Sequence, residues 1–143
     1  MDSEPQIFDL DDTPSCAEAM AVGCEINPLL VEIEETFGDV ASRGLMSRLG
    51  GQRIFVAGKR FDRSPLNRAC GPVVARCITD RIGACGWTVP IGCAALTVRR
   101  RVLVYRMIRL GYSLADIAEA ARCTERAVSM QKKRFREAGI LPD

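Results

Sequence analysis

The sequence contains no histidine. Imidazole is the commonest general base and completes Ser-His and Cys-His arrangements, so its absence points away from that chemistry and from an enzyme. Seven cysteines are present, but no Cys-x-x-Cys pair occurs. Cys70, Cys77, Cys85 and Cys93 lie 7, 8 and 8 residues apart, which is not the spacing of a zinc site. An odd count argues against a disulfide framework, and the cysteines read as small apolar residues of a core. No apolar run reaches the roughly 18 residues that a membrane helix needs. The N-terminus lacks the basic region of a secretory signal. The expectations are a cytoplasmic chain without catalytic residues, metal, cofactor, small-molecule substrate or membrane contact.

Basic residues are missing from one end altogether. Residues 1–40 hold eleven acids and no Lys or Arg, for a charge of −11. The remaining 103 residues carry all 20 basic residues against 7 acids, for +13. The net charge of +2 therefore hides a basic body with an acidic arm. A basic body suits a polyanionic partner. The apolar fraction of 48% is that of a globular protein.

Residues 1–14, acidic and proline-containing, read as a mobile arm. Residues 15–96 read as a helical region with short strands, and 97–143 as a second unit. CAEAMAVGCEI is a weak helix. Asn27 caps the next one, with Pro28 at its first position. Leu29, Leu30, Ile33, Phe37 and Val40 recur at helical spacing, and Leu45, Met46 and Leu49 continue that face to Gly50 and Gly51. Gly38 and Gly44 are candidate interruptions. Arg53, Ile54, Phe55 and Val56 form a short β-rich run. Gly71 and Pro72 open the helix PVVARCITDRI, which stops at Gly83, and Trp87 to Pro90 form a second extended run.

MSRLGGQRIFVA (46–57) and TDRIGACGWTVP (79–90) align without gaps at an offset of 33 residues. Each copy reads helix, Gly-rich turn, short strand. A lone strand is unstable, so the two strands pair either with each other or with their twins in a second copy of the chain.

The basic charge concentrates at the C-terminal end. Residues 97–110 are strongly helical and stop at Gly111. In SLADIAEAARCTERAVSMQKKRFR, Ser113 and Asp116 form a Ser-x-x-acid capping signal. Leu114, Ile117, Ala118 and Ala121 give an inner face. Arg122 and Cys123 make the turn, Thr124 caps a second helix, and Ala127 and Val128 pack it back. This is the pattern of a helix-turn-helix. It leaves Thr124, Glu125, Arg126, Ser129, Met130 and Lys133 as base-facing candidates in a major groove. Arg126 suits the bidentate acceptors of guanine, Ser129 several base edges, and Met130 a thymine methyl. Arg99, Arg100, Arg101, Lys132, Arg134 and Arg136 are the phosphate-contact candidates. Between residues 97 and 136, 11 basic residues face 3 acidic ones. Arg122 stands where such turns often place Gly, and Gln131 occupies a usually apolar packing position.

With the strand unit and this motif together, the chain resembles the Mor transcription activator family, the middle and late gene activators of Mu-like phages and prophages. GACGWTVP (83–90) corresponds to that family's Gly-Gly-x-x-Tyr-Ile-Pro-like strand, and the spacing from Pro90 to Ser113 suits its linker helix. LGGQRIFVAGKR (49–60) looks like a duplicated copy. The family's polar and Tyr strand positions fall on Gly86 and Thr88 here, or on Arg53 and Phe55 in the first copy. The resemblance implies a mainly α fold with one or two short β-strands, a helical N-terminal dimerisation region and a C-terminal helix-turn-helix. It further implies a homodimer on double-stranded DNA and contact with RNA polymerase. The expected function is a sequence-specific transcription regulator, with activation favoured. The competing expectation is a phage protein that inhibits or binds a host protein and uses its helix-turn-helix for autoregulation as a repressor.

Overall fold

A computed structural model describes residues 9–56 and 64–142. The chain is mainly helical with one two-stranded antiparallel sheet. Eight α-helices are described: α1 (Cys16–Ala21), α2 (Pro28–Phe37), α3 (Asp39–Leu49), α4 (Pro65–Cys70), α5 (Pro72–Ile82), α6 (Leu96–Arg109), α7 (Leu114–Ala121) and α8 (Glu125–Glu137). The strands are β1 (Arg53–Phe55) and β2 (Gly86–Thr88), and a 3-10 turn at Gly92–Ala94 leads from β2 into α6. No described helix is long and apolar enough to cross a membrane.

Local signals place most boundaries. The Ser15 hydroxyl and Glu18 carboxylate form a reciprocal capping box on α1. Asn27 accepts the Leu29 N–H with Pro28 in the first turn of α2. The long apolar face expected from Leu29 to Leu49 breaks at Gly38, whose φ of 97° separates α2 from α3. Gly44 stays helical, and a Cβ there would sit 2.9 Å from the Ala69 carbonyl oxygen. Its role is thus close approach of α3 to α4 rather than a break. The helix α4 has no counterpart among the sequence expectations. Its signal is Ser64-Pro65, where the Ser64 hydroxyl accepts the Asn67 N–H.

The two strands pair with each other within one chain, with Arg53 opposite Thr88, Ile54 opposite Trp87 and Phe55 opposite Gly86. Ile54 faces the core while its neighbours Arg53 and Phe55 are exposed. A single cluster of buried apolar residues runs from Leu10 to Leu141 and includes Leu30, Ile33, Leu45, Met46, Ile78, Val102 and Phe135. All seven cysteines are free, and only Cys16 and Cys93 are fully buried. Donation of a hydrogen bond to Cys93 and burial push the Cys16 thiol far above its ordinary value, while burial raises Cys70 to about 11.

The arm expected to be mobile over residues 1–14 differs in its described part. Leu10 is buried. Its carbonyl accepts a hydrogen bond from Arg99, and the Thr13 carbonyl accepts one from Arg43. One apolar side chain and two guanidinium donors hold residues 9–14 against the body; residues 1–8 lie outside the described set.

Candidate nucleic-acid interface

The basic C-terminal region is built on α6, which packs against both α7 and α8. The Ser113 hydroxyl accepts the Asp116 N–H at the start of α7, and the Thr124 hydroxyl accepts the Ala127 N–H at the start of α8. Ile117, Ala118 and Ala121 are buried on α7, and Leu114 is half-buried beside them. The turn between the helices passes through Arg122 in the left-handed conformation, φ 53° and ψ 50°. Arg122 is the only non-glycine residue with positive φ among those described. The cost of that conformation for an L-residue is roughly 1–2 kcal/mol.

On α8, Val128 and Phe135 are fully buried. Phe135 meets the Tyr105 ring edge-on, with centroids 5.5 Å apart. The Arg101 guanidinium lies 5.7 Å from the Phe135 ring centroid, a cation-π contact. Phe135 thus anchors α8, a role hidden in the sequence because it sits inside the basic run KKRFR. Ala127, expected to pack inward with Val128, is exposed. One step along the helix turns it away from the core.

The base-facing candidates Thr124, Glu125, Arg126, Ser129, Met130 and Lys133 are all exposed. Arg126, Met130 and Lys133 stand on the side of α8 away from Val128, Ser129 lies between the two sides, and Glu125, one turn before Val128, lies on the flank of the buried side, while the Thr124 hydroxyl is already engaged in the cap. Gln131 is half-buried.

The phosphate candidates divide. Arg134 and Arg136 are exposed, and Lys132 is half-exposed. Arg99, Arg100 and Arg101 are turned to internal partners instead. Arg99 donates to the Ala94 and Leu10 carbonyls and pairs with Asp11 at 3.6 Å. Arg100 donates to the Ala121 carbonyl at 2.8 Å and the Arg122 carbonyl at 3.3 Å. Arg101 lies over Phe135. The charge of these three residues suggested a phosphate contact, but helix-end carbonyls left without intrahelical partners and an aromatic face compete for the same guanidinium groups. Arg109, absent from the sequence-based candidates, is exposed and lines one recess with Lys132 and Arg136. Its place in the last turn of α6 next to α8 depends on helix packing, which local spacing does not reveal.

The acidic arm reaches this region. The carboxylate of Asp11 stands 3.8 Å from the Arg122 guanidinium and 3.6 Å from that of Arg99. At such exposed geometry the pairs contribute little to stability.

Comparison of the chain with protein-family models, with curated proteins and with solved structures finds no match.

Proposed function

We propose that the protein is a sequence-specific regulator of transcription that binds double-stranded DNA. The α7–turn–α8 unit acts as a helix-turn-helix, with the N-terminal half of α8 lying in the major groove. The observation that carries this reading is the division of α8. Val128 and Phe135 fix one side in the core, while Arg126, Ser129, Met130 and Lys133 are exposed along the other, with Glu125 exposed at its edge. Hydrogen-bonding and apolar side chains on one exposed stripe are what direct readout of base edges requires. Arg109, Lys132, Arg134 and Arg136 supply the phosphate contacts on this reading, and Arg99, Arg100 and Arg101 brace the unit from behind. The resemblance to the Mor activators supports a phage or prophage origin and a role in activation.

The test is selection of DNA sites from a random pool with the wild-type protein and with Arg126→Ala. The wild type is expected to enrich a defined sequence. The variant is expected to lose preference at the base pair that Arg126 contacts, at a cost of about 1–3 kcal/mol in specific binding. Identical selected sites would refute the assignment of α8.

A further inference from the structure

The offset of 33 residues extends well beyond the two Gly-strand stretches. Helices α3 and α5 are both 11 residues long, and their first residues, Asp39 and Pro72, are 33 apart. The glycines preceding them, Gly38 and Gly71, share an unusual conformation, with φ and ψ of 97° and 167° in one and 86° and 165° in the other. Each donates its N–H at 2.8 Å to a matching carbonyl, Glu34 for Gly38 and Asn67 for Gly71. Strands β1 and β2 keep the same offset. Residues 31–56 and 64–89 are thus two copies of one unit: helix, left-handed glycine, helix, turn, strand.

In the sheet the copies are related by an approximate two-fold axis. Ile54 and Trp87 occupy equivalent positions and face each other in the sheet, as two-fold mates on the axis must. The flanking bonds obey the same operation. The Val56 N–H donates to the Cys85 carbonyl at 2.8 Å, and the Val89 N–H donates to the Gln52 carbonyl at 2.9 Å. Swapping the copies turns one bond into the other. Arg48 and Arg81, also equivalent, each cross to the opposite unit. Arg48 donates to the Arg68 and Ala69 carbonyls at the end of α4, and Arg81 pairs with Glu32 on α2. The helices depart from the symmetry: Gly44 admits α4 closely against α3, whereas α5, with Cys77 at the equivalent position, does not pack as closely on α2.

This is the isologous geometry by which two identical subunits associate, but both halves belong to one chain. We propose that residues 31–56 and 64–89 form a pseudo-dimer that replaces a homodimer, so that the protein engages DNA as a monomer with a single head. Resting on the DNA-binding reading of α8, the proposal adds the form of the target: one asymmetric half-site rather than an inverted repeat. Only β2 leads into α6, α7 and α8, whereas the chain after β1 leads into α4. The pseudo-axis therefore relates two platforms and no second head. Tethering sets an effective concentration on the order of millimolar for the partner unit, so a second copy at micromolar concentration does not displace it. The strand partner that a twin chain would otherwise supply is already present.

Three measurements on the intact chain test this. Its mass in solution is expected to remain that of one chain from micromolar concentration upward. The consensus selected from a random DNA pool is expected to lack two-fold symmetry. A mixture of the wild type with a version lengthened by an N-terminal fusion is expected to give two shifted bands on the selected DNA. A stable dimer, an inverted-repeat consensus or a third band of intermediate mobility would each overturn the pseudo-dimer. Failure to select any DNA sequence would count against the reading of α8 alone, and the mass would still decide between pseudo-dimer and dimer.

Discussion

Glu34 joins three pieces of the fold through one carboxylate. One of its oxygens accepts the Cys16 N–H and the Ser42 hydroxyl, each at 2.7 Å, and the other accepts the Ala17 N–H at 2.9 Å. It therefore satisfies N–H groups at the start of α1 from a position on α2. Burial alone would raise its pKa, but the bonds from Cys16, Ser42 and Ala17 outweigh that effect and hold it below the ordinary carboxylate value. With the folded pKa below the unfolded one, the stabilisation is present above the unfolded value and lost as pH falls through the folded value. Glu34→Gln is expected to cost about 1–3 kcal/mol near neutral pH, and the gap to wild type should narrow at an acidic pH below the depressed folded pKa. Urea denaturation at the two pH values measures this, and a gap of unchanged size would show that the charge is irrelevant. Arg122 is a different case at this scale: its position in the turn was legible, but its left-handed backbone confers no benefit that a Gly would not give at lower strain.

Among the elements, α6 has the role least visible in its sequence. The triplet Arg99, Arg100 and Arg101 reads as a phosphate clamp, yet Arg100 holds the α7–α8 turn to α6 through the Ala121 and Arg122 carbonyls. The two roles separate experimentally. Arg100→Ala is expected to lower stability by about 1–3 kcal/mol, as for loss of charged hydrogen bonds, with no change in the salt dependence of DNA binding. Arg134→Ala is expected to leave stability unchanged and flatten the salt slope by about 1. Thermal unfolding and binding titrations over a range of salt give both numbers, and a flattened slope for Arg100→Ala would return it to the phosphate set. The helices α2, α3, α5, α7 and α8 were legible because Asn, Gly, Ser and Thr caps and apolar periodicity are local signals. The helix α4 was not, because at six residues it is too short to show a period, leaving only its Ser-Pro start.

Across the whole molecule, the uneven charge acquires a geometry. Asp11 stands between Arg99 and Arg122, beside the turn that leads into α8. On the proposed function, the acids of residues 9–12 lie close enough to repel an approaching phosphate backbone. Asp9, Asp11 and Asp12 changed together to Asn are expected to tighten binding to all DNA sequences at low salt. The gain should vanish at high salt, where the screening length falls to a few ångströms. Equal affinities of the variant and wild type at low salt would show that the arm exerts no such field.

The sequence alone determined the helical class, the caps at Asn27, Ser113 and Thr124, the stripe Glu125, Arg126, Ser129, Met130 and Lys133, and the 33-residue period. These follow from interactions within one or two helical turns or from plain repetition. The tertiary structure decided what each repeated part meets. Ile54 pairs with Trp87 of the same chain, Phe135 enters the core from within a basic run, and Leu10 carries the acidic arm onto the body. Three arginines turn inward, and Arg109 joins the α8 face from a neighbouring helix. In each case several partners of suitable chemistry exist along the chain. The one that is used depends on which distant segments packing brings together, and that choice leaves no trace in local spacing.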